Sequence, residues 1–278
     1  MKSVSSVNRG IGADRRLWAL IAGLLIAVAS GCATTTTVEG GNTDVVSRGR
    51  AQRDLGIDYL STGRTAMAIR ELAASLEHDP SDPVTHLWIG DAYRRKGQTE
   101  KARVAFETAA SLAEEKRDTQ TLQDARLNLS ALLSQMGRPA EAITHCEALA
   151  VDPTFPSPWR PLTNCGWAMI QLGRYDDARA RLTTAIDYFP RYGPALLNLG
   201  ILESKLGHNL AAVTALEKAI ASGRLNGSGR TEANFRLGEI YVSLGNREKA
   251  IANFRAAVET GPMLEWGSQS QAYLDLLR

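Results

Sequence analysis

Three cysteines and four histidines are the residues of this 278-residue chain whose chemistry could reach beyond packing. Cys32 follows Ala29-Ser30-Gly31, three small residues that end an apolar run. In an oxidising compartment Cys146 and Cys165 could close a loop of about twenty residues, worth about 3 kcal/mol in chain entropy. As free thiols they would serve as small buried hydrophobes instead. His78, His86, His145 and His208 are scattered without the spacing of metal ligands and read as solvated or packed side chains. The chain has no phosphate-cradling glycine loop, no Gly-x-Ser-x-Gly elbow and no His-Glu-x-x-His pair. Neighbours such as Glu248-Lys249 read as solubilising charge on a helix surface. No catalytic residue, metal, cofactor or small-molecule substrate is therefore expected, and the chain does not read as an enzyme.

The surroundings of Cys32 give it a role. Lys2, Arg9, Arg15 and Arg16 precede an apolar run from Leu17 to Ala29, which is short for a membrane span and ends in small residues. Residues 1–31 thus read as an export signal, and Ala29-Ser30-Gly31-Cys32 resembles a lipobox. In a lipobox the cysteine thiol is diacylated, with palmitate-type chains, and the cysteine becomes the first residue. A plain cleaved signal with an incidental cysteine is the alternative. More than one acyl chain makes anchoring durable. Ala33 after the cysteine follows the enterobacterial convention for outer-membrane sorting, so the expected location is the periplasmic face of the outer membrane, lipid-anchored. Residues 32–48 are polar and aperiodic at first and read as a flexible tether. Removing the signal takes four basic residues and Asp14 from totals of 32 and 30, leaving 28 basic and 29 acidic. That balance gives no case for a nucleic-acid partner.

From residue 49 onward a repeat organises the chain. A glycine and an alanine five residues apart recur as Gly63/Ala68, Gly97/Ala102, Gly137/Ala142, Gly173/Ala178, Gly207/Ala212 and Gly245/Ala250. Seven residues before each glycine stands a small residue: Gly56, Gly90, Ser130, Gly166, Gly200 and Gly238. Four after each alanine stands a larger one: Leu72, Phe106, Cys146, Leu182, Leu216 and Phe254. Each recurring glycine is expected to end a first helix by a turn that side chains resist, and each alanine to let a second helix approach closely. The pattern matches the tetratricopeptide repeat, including tyrosines at Tyr59, Tyr93 and Tyr241. The periods are 34, 40, 36, 34 and 38 residues, so loop or helix extensions are expected around 117–123 and 225–229. The fold expected is all-α: a superhelical solenoid of about six helix-turn-helix repeats over 49–267. Ala272, Tyr273, Leu276 and Leu277 sit at helical spacing, predicting a capping helix over 268–278 that covers the last stacking face.

Such solenoids bind partners on the concave face built from their first helices. By repeat position that face would carry Ile57, Leu60, Val84, Leu87, Leu127, Ala131, Trp167, Ile170, Leu197, Ile201, Phe235 and Val242. Charge enters at Arg53, Asp91, Arg94, Arg160 and Glu239. The lining predicts a groove for an apolar helix or extended segment of a protein partner, with Trp167 as anchor. The alternative is that several of these residues pack between repeats or beneath the C-terminal helix.

One stretch is less generic: Asp152-Pro153-Thr154-Phe155-Pro156-Ser157-Pro158-Trp159, then Asn164-Cys165-Gly166 and Gly173-Arg174. It resembles the corresponding region of the type IV pilus pilotins, the PilF/PilW/Tgl group. The resemblance implies a lipoprotein that promotes assembly or localisation of the pilus secretin. Some members bridge the first helices of repeats three and four; the matching positions here are Ser134 and Ala168, so that bridge is absent. Cys146 and Cys165 could provide a shifted equivalent. A general adaptor lipoprotein that recruits cell-envelope enzymes such as peptidoglycan hydrolases fits the same fold and anchor.

Overall fold

The computed structural model describes residues 40–277, with side chains from residue 44. The signal segment, Cys32 and the first part of the expected tether lie outside the described residues. Helix α1 spans Gly40–Ser61, so the last nine residues of the expected tether are already helical. Twelve helices follow: α2 Thr65–His78, α3 Pro83–Arg95, α4 Thr99–Lys116, α5 Thr119–Gln135, α6 Pro139–Ala150, α7 Trp159–Gln171, α8 Tyr175–Tyr188, α9 Gly193–Lys205, α10 Asn209–Ala221, α11 Gly227–Ser243, α12 Arg247–Thr260 and α13 Glu265–Leu276. They form six consecutive pairs, with α13 left over as the end helix.

The turn within every pair is the same local solution. The six recurring glycines all have φ between +71° and +78°, where a Cβ is strained. The residue after each glycine donates its N–H to the carbonyl five residues back, as Arg64 to Tyr59 at 2.8 Å and Asn246 to Tyr241 at 2.8 Å. This closure satisfies carbonyls that the ending helix would leave unpaired. The alanines that follow are fully buried in all six pairs.

The small and large residues of the repeat meet inside each pair. A Cβ placed on Gly56, Gly166 or Gly200 would lie 2.6 Å from the Cγ of Leu72, Leu182 or Leu216. On Gly90 and Gly238 it would strike the rings of Phe106 at 2.7 Å and Phe254 at 2.4 Å. In the third pair Ser130 takes the small position, and the buried Cys146 takes the large one by register. Helix spacing is therefore set by side-chain size, pair by pair.

The two long periods come from longer helices. Helix α4 has 18 residues and α5 has 17, joined at Arg117, whose φ of 58° is left-handed, and Asp118, whose carboxylate accepts from the Thr121 N–H. The 38-residue period is taken up by the 17-residue α11, capped by Asn226 accepting from the Gly229 N–H at 2.7 Å. At the end, α13 begins at Glu265, three residues ahead of the sequence expectation. It covers the sixth pair with Trp266 and Tyr273, whose ring centroids lie 5.0 and 5.9 Å from that of Phe235. Gly267 permits this approach, since a Cβ there would lie 1.9 Å from the Gly261 carbonyl oxygen.

Candidate functional site: the concave face and the bridged third and fourth repeats

The first helices α5, α7, α9 and α11 frame a cleft of about 300 Å³ on the concave side. Trp167 stands in it, half-buried, with Gln135, Asn164, Asn198, Ile201 and Glu232 around it. This lining is more polar than the sequence suggested. Leu60, Leu87, Leu127, Ile170, Leu197, Ile201 and Phe235 are each no more than 9% exposed and belong to the core. The correction has a geometric cause. Where first helices lie side by side, these side chains point into the seam between neighbours rather than into the opening. Leu60 thus packs with Ile89 and Ala92, and Ile170 with Leu202. Phe235 is covered by Trp266 of α13. Ile57 and Asp91 remain half-buried and Arg94 is exposed, where Asp91 pairs with both Arg94 and Arg95.

Sequence reasoning missed the amides of the cleft, although a signal for them was present. Asn128, Asn164 and Asn198 each stand nine residues before a turn glycine, so three consecutive first helices carry asparagine at one repeat position. Asn128 is committed to its own helix, donating to the Asp124 carbonyl at 2.9 Å. Asn164 donates across to the Ser130 hydroxyl at 2.8 Å. Gln171 similarly reaches the Ser134 carbonyl at 3.1 Å. These bonds tie α7 to α5 along the floor of the cleft.

Charge collects near the starts of the same helices. Burial raises the proton affinity of Asp124, with Arg160 opposing and Asp118 adding to the rise. Burial likewise raises Glu232, where the Arg236 guanidinium opposes and the Glu265 carboxylate adds. Tyr192 is raised by burial while its hydroxyl is bonded by Arg160. None of these groups is arranged with a nucleophile. Among the described residues no cluster of histidine, cysteine and carboxylate side chains could hold a metal. His86 contacts the Pro80 carbonyl and His208 the Glu203 carboxylate, while His145 is half-buried with its pKa lowered by burial.

Cys146 of α6 and Cys165 of α7 form a disulfide, with Cα atoms 5.6 Å apart and both side chains fully buried. The bridge joins the second helix of the third repeat to the first helix of the fourth. The proline-rich segment between those helices is fastened as well. Phe155 is buried against Leu127 and Leu149. Asp152 accepts from Gln123 at 2.7 Å and from the Thr154 N–H and hydroxyl, bonds that lower its pKa. Trp159, at the segment's end, meets the edge of Phe189 at 5.3 Å.

Tetratricopeptide-repeat models match residues 53–119, 166–203, 197–263 and 123–148, which together exceed half of the chain. The chain belongs to the tetratricopeptide-repeat family. Proteins of this family are typically non-enzymatic scaffolds for protein interaction. Among solved structures, the chain is similar to PilW, described as a widely conserved type IV pilus biogenesis factor, with a TM-score of 0.68 and 21% identity over 81% of this chain and 98% of that one. It is similar to Pseudomonas aeruginosa pilF with a TM-score of 0.62 and 18% identity, over 84% and 99% of the two chains. The Cut9 subunit assembly Cut9–Hcn1 of the APC/C also shares the fold, with a TM-score of 0.66 and 17% identity over 88% of this chain and 46% of that one. At these identities the likeness is one of fold.

Proposed function

We propose that this tetratricopeptide-repeat protein is a pilotin: a lipid-anchored scaffold, held through Cys32 at the periplasmic face of the outer membrane, that promotes assembly or localisation of the type IV pilus secretin. The observation that carries the reading is the end-to-end correspondence with two pilus-biogenesis proteins, which covers 98% and 99% of their chains. The 152–174 sequence resemblance and the lipobox at Cys32 support it. In this reading the secretin subunit presents a segment to the cleft around Trp167. The indole supplies a large apolar contact at low entropic cost, and the asparagine and glutamine amides supply hydrogen bonds. The acyl anchor then holds the subunit at the membrane until ring closure releases the segment.

The test is an unheated immunoblot of the secretin in cells carrying Trp167→Glu. Ile201 is unsuitable for this purpose because it is core, so Asn198→Asp is the companion variant. Loss of the high-mass ring with accumulation of monomer, while circular dichroism stays native, is the expected result. Normal rings in the deletion strain would remove the pilotin reading, and capture of peptidoglycan hydrolases by the same face would install the adaptor reading in its place.

A further inference from the structure

The loops that lead from each second helix to the next first helix lie along one edge of the solenoid. In repeats three to six this edge is chemically distinctive. The segments 151–160, 188–192 and 222–230 hold four arginines, Arg160, Arg191, Arg224 and Arg230, against one acid, Asp152. All four arginines are exposed. Between them lies an aromatic group in which Phe189 stacks on Tyr192 at 5.9 Å, with the Arg224 guanidinium over the Phe189 ring at 4.8 Å. Large apolar side chains also stand out along this edge: Val151 is 75% exposed, Tyr188 61% and Met263 92%. Basic residues interleaved with aromatic bodies and protruding apolar tips are what an anionic lipid–water interface selects.

The path of the chain gives the edge its direction. Within the repeat body, the start of α1 lies against the first of these loops: Val46 and Arg50 share a cleft with Asp79 and Asp82. A Cβ on Gly49 would lie 3.1 Å from that of His78. The polypeptide therefore enters the solenoid at the loop edge, and only seven residues lie between Cys32 and the start of α1 at Gly40. The eight Cα-to-Cα steps from Cys32 to Gly40 span at most about 28 Å. A membrane anchor at Cys32 brings the loop edge, rather than the opposite turn edge, toward the lipid.

We infer that this edge is a lipid-facing surface: Arg191, Arg224 and Arg230 engage anionic headgroups while Tyr188, Val151 and Met263 enter the interfacial layer. The docked domain then stands on its loops, with its first helices running away from the membrane. The direction of approach rests on the proposed acylation of Cys32, whereas the chemistry of the edge does not.

The experiment uses the full-length lipoprotein reconstituted on vesicles of phosphatidylethanolamine with phosphatidylglycerol, and separately on phosphatidylcholine. Flotation reads the anchor, and amide hydrogen exchange in 188–192 and 222–230 reads the edge. Exchange in both loops is expected to slow on the anionic vesicles only. Each arginine near such a surface is worth about fivefold in surface affinity, so Arg191→Glu with Arg230→Glu should abolish the protection without changing flotation. Met263→Asp should weaken it while leaving the charge pattern of the arginines intact. Equal exchange on both kinds of floating vesicle overturns the inference, as does protection by inorganic phosphate alone or only by an added protein partner. Failure to float on phosphatidylcholine removes the anchor by itself, and loop exchange with anionic vesicles added still decides the edge.

Discussion

The spacing of helices within a repeat should be adjustable by trading size between its two facing residues. Consider Gly200→Ala in α9. The new Cβ would lie 2.6 and 2.7 Å from two carbons of Leu216 and 3.3 Å from the Leu216 backbone nitrogen. Backbone is involved, so α9 and α10 must part, and overpacking of this kind costs about 1–3 kcal/mol. Replacing a helical glycine by alanine returns about 1 kcal/mol. The net loss should therefore be about 0–2 kcal/mol. Leu216→Ala, at a fully buried position, should cost about 2–5 kcal/mol. If the two residues define one contact, the double variant will be more stable than the sum predicts by about 1.5–3 kcal/mol, because the alanine enters space the leucine has left. The third repeat is a natural version of this exchange, with Ser130 opposite Cys146. Urea unfolding of the four proteins, followed by far-ultraviolet circular dichroism, measures the coupling. Additivity within about 0.5 kcal/mol would refute the idea that this pair sets the helix spacing.

Replacing Cys146 and Cys165 together by alanine should lower stability by about 3 kcal/mol, since their bridge closes a loop of about twenty residues. The oxidised protein with added reductant should move its urea midpoint in the same direction, and an unchanged midpoint would contradict it. Glu232 has its folded pKa raised by burial, so the native state binds more protons than the unfolded state between the ordinary glutamate value and the raised one. Stability owed to this group therefore falls as pH rises through that window. Glu232→Gln should be more stable than the parent at pH 7, with the gap closing as pH falls through that window and gone by about 4.3; a gap independent of pH would count against it.

The repeat was legible because its signals are steric requirements. Gly63 and its five equivalents occupy a backbone region closed to most side chains, and Ala68 and its equivalents are fully buried. Such constraints leave a mark at fixed spacing in the sequence itself. The concave lining was less legible because it depends on how neighbouring repeats rotate against one another. Leu197 and Ile201 have the composition of a binding face, yet the seam between α9 and α11 claims them. Conversely, Asn164 looked like part of a motif, and its work in tying α7 to the Ser130 hydroxyl needs the third dimension. Helix lengths behaved similarly: the long second period was visible, but its division into two extended helices around Arg117 was not.

The bridge between Cys146 and Cys165 also constrains how this array can evolve. Arrays of this kind lengthen by duplication, and most repeats here carry everything a new neighbour would need: a turn, a seat for the facing helix and a seam on each side. Five junctions separate six repeats, and the covalent link occupies one of them. A repeat inserted between the third and fourth would part the cysteines and leave two unpaired thiols in the core. Growth is open at the other four junctions, while the centre is held to a fixed order. The bridge therefore works as a marker of register in a lineage of otherwise interchangeable parts.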